Sequence, residues 1–200
     1  MRELTDAPPS RELLWLACRE KTCCHTTRVI VSGRDVWRIA RAIEAAPWEF
    51  TVYGEAVEGA VDGFQLVHGG PAYQVFLAKR GKVGPKGAPC FFLWKLADGH
   101  AQCGLGQLRP QICRSYPALL VDDLLCVESS ACTCRRWSLL DLDETRDRAL
   151  VRQMLAEAEE YSRIVAGWNG RLRPGGPART YPEFCAFLLD VYDRCAGDAP

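Results

Sequence analysis

Apolar residues come in short bursts through the first two thirds of the chain and at helical intervals through the last third. The bursts Val29–Val31, Phe50–Tyr53, Phe64–Val67 and Tyr73–Ala78 predict strands, punctuated by Gly63, Gly69-Gly70 and Pro71. Cys90–Leu96 reads as a further, buried strand. Ala118–Val121 and Leu124–Val127 read as a hairpin across Asp122-Asp123. Glu12–Arg19 predicts a short helix. Ser32 and Asp35 have capping-box spacing, and Val36, Ile39, Ala40 and Ile43 follow at helical intervals. That helix is expected to reach Ala46 and stop before Pro47. Trp37, Arg38 and Arg41 fall off its apolar stripe, on the side for solvent or a partner.

From Asp143 to Trp168 one stripe runs through Leu150, Val151, Met154, Leu155, Ala158, Tyr161 and Val165. Residues 171–179 read as a linker. Thr180 and Glu183 cap a last amphipathic helix carrying Phe184, Phe187, Leu188, Val191 and Tyr192. The expected fold is α+β: a small irregular cysteine-rich core with short strands over residues 1–140, and a helical extension over 141–200 packed on it.

Composition narrows the function classes. Acidic and basic residues balance at 25 each, so no basic footprint points to nucleic acid. The first 15 residues lack the apolar core of a signal peptide, and no apolar run reaches the roughly 20 residues of a membrane span. A cytoplasmic setting is the expectation, with no membrane and no nucleic acid as partner. Thiols stay reduced there, so the 11 cysteines point to metal chemistry rather than to a disulfide framework.

The cysteines fall into groups. Cys18, Cys23 and Cys24 come first. Cys90, Cys103 and Cys113 follow in the stretch from Pro89 to Pro117, and Cys126, Cys132 and Cys134 lie just beyond. Gly and Pro around the central group allow tight turns that aim several thiolates at one point. Thiolate donors suit zinc and iron–sulfur clusters. The spacings match neither two C-x2-4-C zinc knuckles nor the bacterial ferredoxin run. The expected ligands are Cys18, Cys23, Cys24, Cys90, Cys103, Cys113, Cys132 and Cys134, with Cys126 open. Cys185 and Cys195, on the last helix, are expected to be core or surface thiols.

Cys23-Cys24, Pro89-Cys90-x-x-Leu93, Cys103, and Arg109-Pro110-x-x-Cys113-Arg114 with Pro117 occur in an order that resembles the YkgJ family, the CxxCxxCC zinc- or iron-chelating domains. The resemblance covers roughly Cys18 to Cys134. The chain departs from it where the family has cysteines three and six residues before the pair: Glu20 and Ala17 stand there, and Cys18 is off register. The resemblance implies an iron–sulfur cluster or zinc held by these cysteines, and no settled reaction.

Three functions are expected in order: a metal- or cluster-binding protein with a redox or accessory role; a metal-dependent oxidoreductase; and a zinc-stabilised interaction module. The second needs a base near the metal. His25 beside Cys24 and His100 before Cys103 are the histidines so placed, with Tyr116, Asp98 and Arg114 as lesser candidates.

Overall fold

Short strands carry the apolar bursts into a three-stranded sheet and two two-stranded ones, and two long helices pack with the first in one core. The computed structural model describes residues 11–84, 87–128, 130–132 and 136–197. Helices α1 (Arg11–Ala17) and α2 (Cys23–Thr26) lead to α3 (Gly33–Ile43). Ser32 Oγ accepts from Asp35 N at 3.1 Å, and Asp35 Oδ2 accepts from Ser32 N, which completes the expected capping box. Helix α3 stops at Ile43 rather than Ala46 because Glu44 turns left-handed, with φ at 53°. Ala46 is extended, as a residue before proline prefers, and Pro47 opens the one-turn helix α4 (Pro47–Phe50). Trp37 and Arg41 lie off the buried stripe, Arg41 exposed as expected, and both bond the exposed Asp193 carboxylate near the C-terminus.

Strands β1 (Thr51–Glu55), β2 (Phe64–Gln65) and β3 (Ala72–Leu77) form an antiparallel sheet of order β1-β3-β2. Val52 lies opposite Phe76, and Phe64 opposite Tyr73. The predicted strand Val29–Val31 is only a bridge: Ile30 pairs with Phe76, and bonds to Val75 and Leu77 flank it. The loop from Lys79 closes through a Gly84–Gly87 bridge, with Val83 exposed; Pro85 and Lys86 lie outside the described residues.

Of the run Cys90–Leu96, only Leu93–Lys95 forms a strand, β4, paired with β5 (Ala101–Cys103). The Leu93 N to Cys90 O bond turns the chain before β4, and Trp94 and Leu96 end up exposed rather than buried. A 3-10 turn at Gly106–Leu108 precedes α5 (Gln111–Ser115). The hairpin of β6 (Ala118–Val121) and β7 (Leu124–Val127) has the expected bounds. Asp122 and Asp123 both take positive φ at its tip, which matches the right-handed twist of the strands.

The chain ends in α6 (Glu144–Asn169) and α7 (Tyr181–Gly197). Thr180 and Glu183 cap α7 as expected. On α6 the buried stripe differs from the apolar one. Val151, Tyr161, Val165 and Trp168 lie on it, but so do Asp147 and Glu157, while Leu155 is 51% exposed. The polar pair is tolerated because Asp147 accepts from Asp143 N at 2.9 Å and Glu157 from Gln153 Nε2 at 2.9 Å. Phe64 of the sheet stacks on Phe184 of α7 with ring centroids 4.0 Å apart. Val36, Ile39, Phe50, Phe64, Tyr161, Phe184 and Leu188 belong to one buried cluster, so residues before and after 140 share a core. Among the described residues no helix is long and apolar enough to cross a membrane.

Candidate functional site

The Arg109-Pro110-x-x-Cys113 segment is held from three sides. Pro110 O accepts from Cys113 N at 2.9 Å and starts the single turn of α5. Gln111 N donates to Asp35 Oδ1 at 3.0 Å, which ties the start of that turn to α3. Arg38 donates both to the same Asp35 oxygen and to Arg109 O. Gln111 Nε2 reaches Leu150 O of α6, and the Arg109 guanidinium lies 4.0 Å from the Trp15 ring centroid. Burial raises the Asp35 pKa, against the Arg38 charge and the Gln111 N–H, which lower it. The capping pair Ser32–Asp35 was legible in the sequence; the second grip of Asp35, on the cysteine turn, was not, since 76 residues separate it from Gln111.

Cys23 and Cys24 sit on α2, where Lys21 turns the chain with φ at 46°. Its Nζ donates to the backbone oxygens of Trp15, Leu16 and Cys18, closing the end of α1. Cys24 O accepts from Cys90 N at 2.8 Å and from Lys79 Nζ at 2.9 Å, so the first and second cysteine groups are joined through the backbone. Gly87 packs against the same turn: a Cβ there would lie 2.8 Å from His25 O. Cys103 ends β5 opposite Leu93, and Gly104 N donates to Phe92 O behind it.

These segments bring Cys23, Cys24, Cys90, Cys103 and Cys113 to the wall of one cavity of about 400 Å³. Their electrostatics are unequal. A hydrogen bond from the Cys24 thiol holds Cys23 down to about 7, and the same bond, with burial, pushes Cys24 up. Burial raises Cys90 and Cys103. Cys113 is raised furthest, by burial first and then by Cys90, Cys103 and Cys23. Each thiolate on this wall therefore disfavours the next, and a bound cation is what would stabilise several at once. The backbone N–H of Phe92 works against the rise at Cys90, and those of Leu105 and Gly106 against the rise at Cys103.

Neither Cys18 nor Cys132 lines this cavity. Cys18 is half-buried at the end of α1 and does not line the cavity. Cys132 is half-buried beside Tyr116, whose hydroxyl is raised by burial and then by Cys132. Its neighbours Ser130 and Ala131 reach the cavity. Cys134 lies outside the described residues. Cys126 faces Leu119 across the β6–β7 hairpin. Cys185 is 1% exposed in the core, and burial takes its thiol up to about 12; Cys195 is exposed. The candidate bases are also elsewhere. His25 lies against Arg80 and Pro89 in a separate cleft with Asp98, and His100 Nε2 contacts Leu16 O. Arg114 donates to Gln111 Oε1 rather than to a sulfur. Tyr116 does line the cavity. Trp15, Lys79 and Met154 join the site without a signal in the sequence: each reads there as ordinary helix, loop or core.

Among the described residues no group of three or more Cys, His, Asp or Glu is arranged to hold a metal ion as it stands. Comparison with protein-family models, curated proteins and solved structures finds no match for this chain.

Proposed function

We propose that the chain binds a metal centre through the five cavity thiols, an iron–sulfur cluster ahead of a zinc ion, in a redox or accessory role. The observation that carries this reading is the convergence of Cys23, Cys24, Cys90, Cys103 and Cys113, from four separate segments, on one cavity. They are also the five cysteines in the motifs that resemble the YkgJ family. An all-sulfur donor set suits both candidates. A zinc ion draws four sulfurs to 2.3 Å, hence to about 3.8 Å from one another. The thiols here line a cavity of about 400 Å³, which leaves room for a cluster. When bound, such a cluster would supply electron transfer. The chain's own part is to aim the thiolates, to favour the Cys90 and Cys103 thiolates with backbone N–H groups, and to place the Lys79 charge near Cys90 and Cys24.

The test is iron, zinc and acid-labile sulfide per chain, with a visible spectrum, on protein purified without oxygen. Iron with sulfide is expected. Cys113→Ser should lose it, and Cys185→Ser should retain the parent content. Neither iron nor zinc at about one ion per chain, or equal loss in both variants, would overturn the reading.

A further inference from the structure

Beyond its thiol wall the cavity is lined mostly by apolar residues. Trp15, Leu105, Ile112, Ala118, Leu119 and Met154 line it opposite and around the sulfurs. Ile112, 42% exposed, carries apolar lining out toward solvent. Three polar side chains of the lining, Arg109, Ser115 and Glu128, are engaged within the protein. Arg109 Nε donates to Gly106 O at 3.0 Å while its guanidinium covers the Trp15 ring. Ser115 Oγ is bonded to Ile112 O and Met154 Sδ. Glu128 is exposed at the rim and accepts from Ser130 N. Most of the lining is apolar, so a neutral apolar ligand would lose water on most sides, whereas a charged one would be desolvated on entering.

The geometry points to a binding site for a small, neutral, apolar organic molecule beside the thiol wall, as the substrate or effector of the metal centre. An apolar cavity of about 150 Å³ is enough for one benzene. The space here is about 400 Å³, which leaves room for a ring next to a metal centre on the sulfurs. A pocket of this size with apolar walls and few polar groups is the ordinary form of a small-molecule site. The role assigned to the molecule rests on the metal reading; its binding does not.

The experiment titrates the full chain, as purified without oxygen, with toluene, benzoate and benzylamine, and measures metal content on the same samples. Saturable toluene binding at one per chain is expected, with benzoate and benzylamine at least about tenfold weaker. Ala118→Phe places a ring in the cavity and should weaken toluene about tenfold or more without changing metal per chain. Leu119→Trp serves as a second filling variant. Should neither variant fold, the methyl resonance of Met154, one of two methionines, is followed in the parent protein and should shift with toluene. No saturable toluene binding, equal binding of the charged probes, undiminished binding in a folded filling variant, or an unmoved Met154 methyl would each overturn the site. Saturable toluene binding by protein that carries neither iron nor zinc as purified without oxygen would defeat the metal reading and leave the apolar site standing.

Discussion

At the scale of single residues, the same element, sulfur, is set to different tasks by its surroundings. The Cys24 thiol donates to Cys23 and brings that residue's pKa down to about 7, while desolvation raises Cys90, Cys103 and Cys113. In metal-free protein, alkylation should strike Cys23 first, with a rate midpoint near pH 7. Buried Cys185, pushed up to about 12, should react only on unfolding. Mass spectrometry of labelled peptides across pH checks this; Cys185 labelling ahead of Cys23 would contradict it. The stability consequences have opposite signs. Cys23, depressed below the ordinary 9.0, contributes stability that is present above pH 9 and lost as pH falls through 7. Cys24, Cys90, Cys103 and Cys113 are raised, so their contribution is present below pH 9 and lost as pH rises further. The raised thiols outnumber the depressed one. Denaturant midpoints of metal-free protein should therefore fall between pH 8 and pH 10.

At the scale of elements, two glycines separate the cavity from the core. Gly87 has φ at +91°, and a Cβ there would meet His25 O at 2.8 Å, on the turn that carries Cys23 and Cys24. Backbone cannot yield as a flexible side chain can, so Gly87→Ala must displace α2. Gly33 opens α3, and a Cβ there would meet the rings of Tyr192 and Tyr161 at 2.7 and 2.8 Å, where the helix docks on α6 and α7. Both substitutions should cost about 1–3 kcal/mol in denaturant unfolding. Only Gly87→Ala should also lower metal per chain. Unchanged metal in Gly87→Ala would separate α2 from the site.

At the scale of the whole molecule, the sulfur cavity and the aromatic core are different supports. The loop-rich path between Cys23-Cys24 and Cys113 predicts that the fold leans on the proposed metal centre, and structural metal can contribute on the order of 10 kcal/mol. Yet Phe64 on Phe184, and Val36 and Ile39 packed in the same cluster, need no thiolate. Stripping the metal should lower the melting temperature while α3, α6 and α7 stay helical below it. Circular dichroism at 222 nm before and after chelation measures both. An unchanged melting temperature would mean that the metal carries no share of the fold, and complete loss of helix at 25 °C would mean that the core cannot stand without it.

The sequence by itself determined the local elements whose signals are local. The Ser32–Asp35 and Thr180–Glu183 boxes, the Asp122-Asp123 hairpin and the long C-terminal helix need only neighbours along the chain to form. The expected ligand set shows the limit of that reading, because spacing ranks cysteines but cannot aim them. Tertiary structure placed five on a common wall and left Cys18 and Cys132 out of its lining. It did so through contacts with no sequence periodicity: Asp35 on Gln111 N, Cys24 O on Cys90 N, and Gly87 against His25. It also decided which apolar residues are buried. Trp94 and Leu96 turn outward once Leu93 N bonds back to Cys90 O, while Asp147 and Glu157 are drawn onto the buried stripe of α6 because each carboxylate has a donor waiting there. Patterning sorts residues by hydropathy alone, whereas burial of a polar group depends on a partner that only the folded chain brings within reach.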